Sequence, residues 1–231
     1  MYEKQTLPNG VRIVYEHMPH VRSAAIGVWI GVGSRYESPC ETGSAHFIEH
    51  MLFKGTANST AAELAGRMDA IGGQVNAFTS RDSTCFYARV LDSHLDEASD
   101  ILCEMFFDSL FSESDVVNER GVVLEEIDMY RDTPEDIVVE QLMGRIFPGA
   151  LGKPVLGRPA SLNSITGASL RAFKEHEYSP DNFSGSFVFK SHQTTSGIKS
   201  PRTALALCGD VKCGGVRFPI RRRKAFGCSC G

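Results

Sequence analysis

The 231-residue chain is expected to fold as α+β, with one mostly antiparallel sheet packed against helices. Three observations predict this. Short β-type runs come in pairs joined by tight turns. Segments with helical spacing of apolar residues follow in a block. The strict strand–helix–strand alternation that a parallel sheet needs is absent.

Taken in order, Lys4–Leu7, a Pro8-Asn9-Gly10 turn and Val11–Tyr15 read as a hairpin. Ser23–Gly31 is apolar and partly β-branched, as expected of a strand buried on both faces. Residues 43–54 read as a helix: Phe47, Ile48, Met51 and Leu52 follow its period and Gly55 follows its end. Thr60-x-x-Glu63 is a capping box that opens a helix through Leu64, Met68 and Ile71, closed by Gly72-Gly73. Gln74–Thr79 and Thr84–Leu91 read as two strands joined through Ser80–Ser83. Helical patterns follow over 93–109, 113–131 and 134–146. A Gly/Pro/Ser-rich loop is expected over 148–166 and a last helix over 167–177.

Hydrophobic and charged contents of 42% and 23% are those of an ordinary globular protein. No apolar run reaches the roughly 18 residues of a membrane-spanning helix, so no membrane partner is expected. The first ten residues show neither an export nor an import pattern, and three of the seven cysteines (Cys40, Cys85, Cys103) are scattered. Reduced thiols and a cytoplasmic location are therefore expected. Charge divides the chain. Residues 1–183 hold 15 Lys/Arg against 27 Asp/Glu, and residues 184–231 hold 9 against 1. Such a break marks a boundary between two parts, and no nucleic-acid partner is expected.

His46-Phe47-Ile48-Glu49-His50 is the candidate site. Two histidines four apart on a helix share a face, and their imidazoles can occupy neighbouring corners around zinc at about 2.0–2.1 Å. Glu49 then lies beside the metal's open position, where it can take a proton from the attacking water and pass one to the leaving amine. The alternative is a helix carrying two solvated or core histidines. A third ligand decides between them. On the 113–131 helix, Glu119 and Glu126 lie within roughly 20° of each other, flanked by Val116, Val123, Ile127 and Tyr130. Glu125 and Asp128 point away. A carboxylate on an apolar face is costly unless a cation or hydrogen bonds satisfy it, and the geometry picks Glu126 over Glu125.

These residues resemble the M16 (pitrilysin-type) inverzincin metallopeptidases, most of all the smaller, processing-peptidase-like bacterial members. The resemblance rests on His46-x-x-Glu49-His50 with a ligand-type Glu 76 positions later, together with Leu7-Pro8-Asn9-Gly10 and Gly31-x-Gly33-Ser34-Arg35-x-Glu37. Gly43-x-Ala45-His46, Gly72-Gly73-x-x-Asn76-Ala77-x-Thr79, Glu119-Arg120-x-Val122-Val123-Leu124-x-Glu126-Ile127 and Tyr178-x-x-Asp181-Asn182 extend it over about residues 2–183. It implies one LuxS/MPP-like metallohydrolase half and a zinc endopeptidase acting on peptides or unfolded segments, with one Zn2+ per chain. His46, His50 and Glu126 would be the ligands, Glu49 the general base, and Glu119 the carboxylate that orients a ligand histidine. Asn76 and Ala77 would lie on an edge strand that pairs with an extended substrate. Family members close two such halves around the substrate. The partners expected are therefore an extended peptide and either a C-terminal half or a second copy of the chain. A non-catalytic metal-binding subunit that needs this partner is the alternative function.

After residue 183 the resemblance stops. Residues 184–231 form a basic, cysteine-rich tail expected to lack fixed structure. Three readings of it stay open: a frame-shifted reading frame, a basic arm at Arg221–Lys224, or a small metal site from Cys208, Cys213, Cys228 and Cys230.

Overall fold

The computed structural model describes residues 2–189, the last five by their backbone alone. The Arg221–Lys224 run and the four late cysteines lie outside the described residues. Six strands form one sheet: β1 (Tyr2–Thr6), β2 (Arg12–His17), β3 (Ser23–Ile30), β4 (Gln74–Thr79), β5 (Thr84–Leu91) and β6 (Phe183–Phe189). Their order is β1-β2-β6-β3-β5-β4. Every pairing is antiparallel except β2 with β6, so the expected α+β layer is observed with one parallel seam.

The helices are α1 (Ser44–Met51), α2 (Ala61–Ala70), α3 (Leu95–Phe107), α4 (Glu113–Asp132), α5 (Pro134–Ile146), α6 (Pro159–Leu162) and α7 (Gly167–Glu177). Their bounds fall within two residues of those expected at most ends. Local chemistry accounts for this: Thr60 and Glu63 close a capping box on α2, Ser112 caps α4, and Thr166 caps α7. The loop expected over 148–166 contains the short α6, opened by Pro159 at its first position.

Strand β3 corrects one expectation. It is not buried on both faces: Ala24, Ile26, Val28 and Ile30 are buried, while Ser23 and Trp29 on the alternate positions are exposed. Helices α1 and α3 pack on the sheet from the side of Phe86, Ala88 and Val90, and the other side keeps Trp29 packed edge-on against Phe78 at 5.5 Å between ring centres. The core lies between. Phe47, Ile48 and Met51 from α1, with Leu52 just after it, meet Ile101, Leu102 and Phe106 from α3, Val116 and Val123 from α4, and Leu170 and Phe173 from α7. Each fully buried side chain of this size contributes roughly 1.5–3 kcal/mol. That matters most for α1, whose eight residues are too few for an independent helix.

The charge break falls between residues 183 and 184, whereas β6 continues to Phe189 in the middle of the sheet. Ser184–Phe189 pairs with both β2 and β3.

Candidate metal centre

Helix α1 lies against α4, β4, β5 and α7, so most of its surface is enclosed. Its N-terminus is held from outside the helix. The Glu37 carboxylate, only 3% exposed, accepts the Gly43 N–H at 2.8 Å with one oxygen and the Ala45 N–H at 2.9 Å with the other. Two otherwise orphaned donors of the first turn are thereby satisfied. Gly43 stands at φ 98°, and a Cβ there would come within 2.9 Å of the Gly157 Cα. The 153–158 segment can therefore press directly onto the start of the helix. Burial pushes the Glu37 carboxyl up to about 7, against the pull of those two donors and of Lys153.

From this fixed start His46 and His50 project on one face, with ring centres 4.6 Å apart. Helix α4 crosses them with Glu126 inward. Glu126 Oε2 lies 3.6 Å from His46 Nε2 and 3.4 Å from His50 Nε2. All three donor atoms fall within 4.8 Å of one another, although 76 positions separate His50 from Glu126. Tetrahedral zinc with bonds of about 2.0–2.1 Å sets its ligand atoms roughly 3.3–3.4 Å apart, and both imidazole–carboxylate separations lie close to that spacing. The electrostatics agree. Burial, reinforced by neighbouring His50, pushes the His46 imidazole down to about 4, leaving the neutral form that can ligate. The hydrogen bond from His50 holds Glu126 below the usual carboxylate range despite its partial burial. For His50, burial pulls downward but hydrogen bonds to Glu126 and Glu119 prevail, so its pKa is raised.

Glu119 sits one α4 face-repeat from Glu126 and is 4% exposed. Its Oε1 lies 2.8 Å from His50 Nδ1, and its Oε2 lies 2.6 Å from Lys54 Nζ. Glu49 turns toward β4, where its Oε2 accepts the Thr79 hydroxyl at 2.6 Å. Burial raises its pKa, with the Thr79 hydrogen bond and His50 opposing and Glu126 adding.

These groups border an open cleft of about 530 Å³ whose walls include His46, Glu49, Ala77, Thr79, Glu126 and Tyr130. Ala77 and Thr79 share the inward parity of β4. Asn76 is not among the residues that line the cleft, and its side-chain oxygen accepts the Ala77 N–H at 2.8 Å. Strand β4 is a sheet edge, and its register explains this contact. Ser80 N–H donates to Ser83 O at 2.8 Å, so the alternation places the Ala77 N–H and C=O away from β5. Tyr130, expected on the apolar stripe, is 43% exposed because the stripe runs past the core into the cleft. Reading the residues in isolation singles out neither Thr79, Lys54 nor Glu37. Thr79 shares Ala77's strand parity, and Lys54 extends the four-residue step of His46 and His50. Glu37, nine positions before His46, carries no local signal.

An α+β layer gathers two histidines and a glutamate beside an open sheet edge, with a further glutamate at the cleft wall, the side-chain arrangement of the inverted-motif metallohydrolase type. The sequence profile of the insulinase family (peptidase family M16) matches residues 12–158. A zinc protease of Bacillus subtilis, YmxG, is 50% identical over 197 residues, covering 81% of this chain and 48% of the relative. A zinc protease of Streptomyces coelicolor is 47% identical over 178 residues, covering 77% of this chain and 39% of the relative. Among solved structures, the first half of the periplasmic protease PqqL from Escherichia coli superimposes with a TM-score of 0.75 at 26% identity, over 90% of this chain and 45% of that one. A Helicobacter pylori protease matches in fold with a TM-score of 0.80 at 23% identity, over 97% of this chain and 52% of that one. The chain belongs to the M16 insulinase family of peptidases. It spans about half the length of the curated relatives it matches. No helix among the described residues is long and apolar enough to cross a membrane.

Proposed function

We propose that the chain acts as a zinc-dependent endopeptidase domain on peptides or unfolded protein segments in extended form. One observation carries this reading: the His46, His50 and Glu126 donor atoms converge within 4.8 Å beside Glu49, in a cleft that follows the β4 edge. His46 and His50 through Nε2 and Glu126 through its carboxylate would hold the ion. Once bound, zinc supplies a Lewis acid for the scissile carbonyl.

The chain's own residues do the rest. Glu49 takes the proton of the attacking water on its carboxylate and returns it to the leaving amine. Its burial supports this role, because a raised pKa brings a carboxylate closer to neutral pH. Glu119 accepts the His50 Nδ1–H, which leaves the Nε2 lone pair directed at the metal. The outward N–H and C=O of Ala77 pair with an extended substrate backbone as an added strand, and Asn76 releases that N–H to bond the substrate itself. The same reading keeps the chain in the cytoplasm, consistent with Cys85 standing as a buried cysteine outside any disulfide. Cell fractionation checks that location.

The decisive experiment is hydrolysis of an internally quenched peptide by the purified chain with zinc, compared with Glu49→Gln. A loss of about 10²–10⁴-fold in the variant is expected. Equal residual activity in both proteins rules the role out. Because the matched relatives are about twice as long, the assay is run with the chain alone and with a relative's remaining half supplied separately. Activity only in the second arm selects the reading in which this chain is the metal-binding subunit of a two-part enzyme.

A further inference from the structure

Behind Glu119, the metal-type site has an outermost member that the proposed mechanism does not use. Along α1 and the turn that follows it, His46, His50 and Lys54 recur at four-residue steps. Along α4, Glu126 and Glu119 recur at a seven-residue step. The two rows interleave into one chain of contacts, His46–Glu126–His50–Glu119–Lys54, with separations of 3.6, 3.4, 2.8 and 2.6 Å. Its last member is a lysine whose side chain is 37% exposed, whereas the Glu119 side chain it meets is 6% exposed.

That asymmetry separates this pair from an ordinary surface salt bridge, which contributes little. A buried carboxylate is costly without a counter-charge, and a histidine that ligates a metal is neutral and supplies none. Lys54 is the cation paired with Glu119 among the described residues. It also fixes the carboxylate's rotation. With Oε2 held by Nζ, Oε1 is directed at His50 Nδ1, which sets both the ring plane and the tautomer. Lys54 is itself placed by the backbone, since its N–H donates to Met51 O at 3.1 Å in the turn that ends α1.

We propose that Lys54 is a positioning residue for metal binding, acting through Glu119 to hold the His50 imidazole in the ligating orientation. The inference rests on the zinc reading of the site, and its test is built to fail separately from it. Zinc affinity is measured by competition with a chelator of known affinity on the full chain. Wild type, Lys54→Met, Lys54→Arg, Glu119→Gln and the Lys54→Met/Glu119→Gln double variant are compared, each checked by a thermal melt without metal.

Loss of a partner behind a ligand weakens metal binding by about 10–100-fold, and Lys54→Met, one contact further out, is expected near the lower end. Lys54→Arg, which restores a cation on Glu119, is expected to remain within about threefold of wild type. The cycle is the critical readout: Lys54→Met is expected to cost nothing further once Glu119 is Gln. Unchanged affinity in Lys54→Met overturns the proposal. So does a loss that persists undiminished in the Glu119→Gln background, because Lys54 would then act by another route. A wild-type chain that fails to bind zinc overturns instead the site assignment beneath it.

Discussion

Helix α4 carries four glutamates, and their fates differ by side-chain direction alone. Glu119 is buried and Glu126 half-buried toward α1, while Glu125 next door is exposed. Glu126→Gln is therefore expected to weaken zinc binding by at least about 100-fold, and Glu125→Gln to leave it unchanged, in the same chelator competition. Glu37 makes a second case at this scale. It uses both oxygens on two different N–H groups, and Gln offers only one acceptor and turns an NH2 toward the other donor. Glu37→Gln is expected to cost about 1–2 kcal/mol in denaturant unfolding. Glu37 titrates in the fold near 7, above its ordinary 4.5, so the folded chain holds a proton between those values that the unfolded chain has lost. Its contribution to stability is greatest at low pH and declines as pH rises through that window. The melting advantage of wild type over Glu37→Gln should therefore grow as pH falls from 8 to 5. The sequence makes the convergence of His46, His50 and Glu126 legible because helical spacing is local. It leaves Glu37 and Lys54 unassigned because their roles depend on which chain segment comes to rest beside them.

The strand β4 shows what one element can do at a sheet edge. Its bounds and those of β5 can be read from the alternation and the two-residue turn between Ser80 and Ser83, and they match residue for residue. The half-open state of β3 could not be read this way, since a run such as Ala24–Ile30 is equally apolar whether one or both faces are covered. Strand β6 is harder still: its charge and composition signal a boundary, and only its pairing with β2 and β3 reveals a sheet position. For β4, the Ala77 N–H does not serve the ladder to β5. Ala77→Pro should thus spare the sheet and the metal while removing one substrate bond. A fall of about tenfold or more in kcat/KM is expected, with zinc affinity retained, as read by steady-state kinetics and chelator competition.

For the whole molecule, an ion held by His46, His50 and Glu126 would act as a cross-link. It would tie together two helices, α1 and α4, that pack against each other but lie more than seventy residues apart in the chain. A ligand that binds only the folded chain stabilises it by about 2.7 kcal/mol at a hundredfold excess over Kd. For a domain of this size that shifts the melt upward by roughly 5–10 °C. Chelation should reverse the shift, and His46→Ala should abolish it, in a thermal melt followed by circular dichroism. An equal melting temperature with and without zinc would show that the ion does not bridge the two helices.

Trp29 is the chain's single tryptophan, and its position gives it a use of its own. It packs edge-on against Phe78, and Phe78 in turn borders the cleft along β4. The indole is thus one ring away from where a bound peptide would lie, yet its side of the sheet is opposite the helices that carry the histidines. Its emission should respond when a peptide settles on the edge strand and stay nearly constant when zinc alone is added. The fold therefore contains an optical gauge of occupancy that works even in a Glu49→Gln chain that cannot cut what it holds.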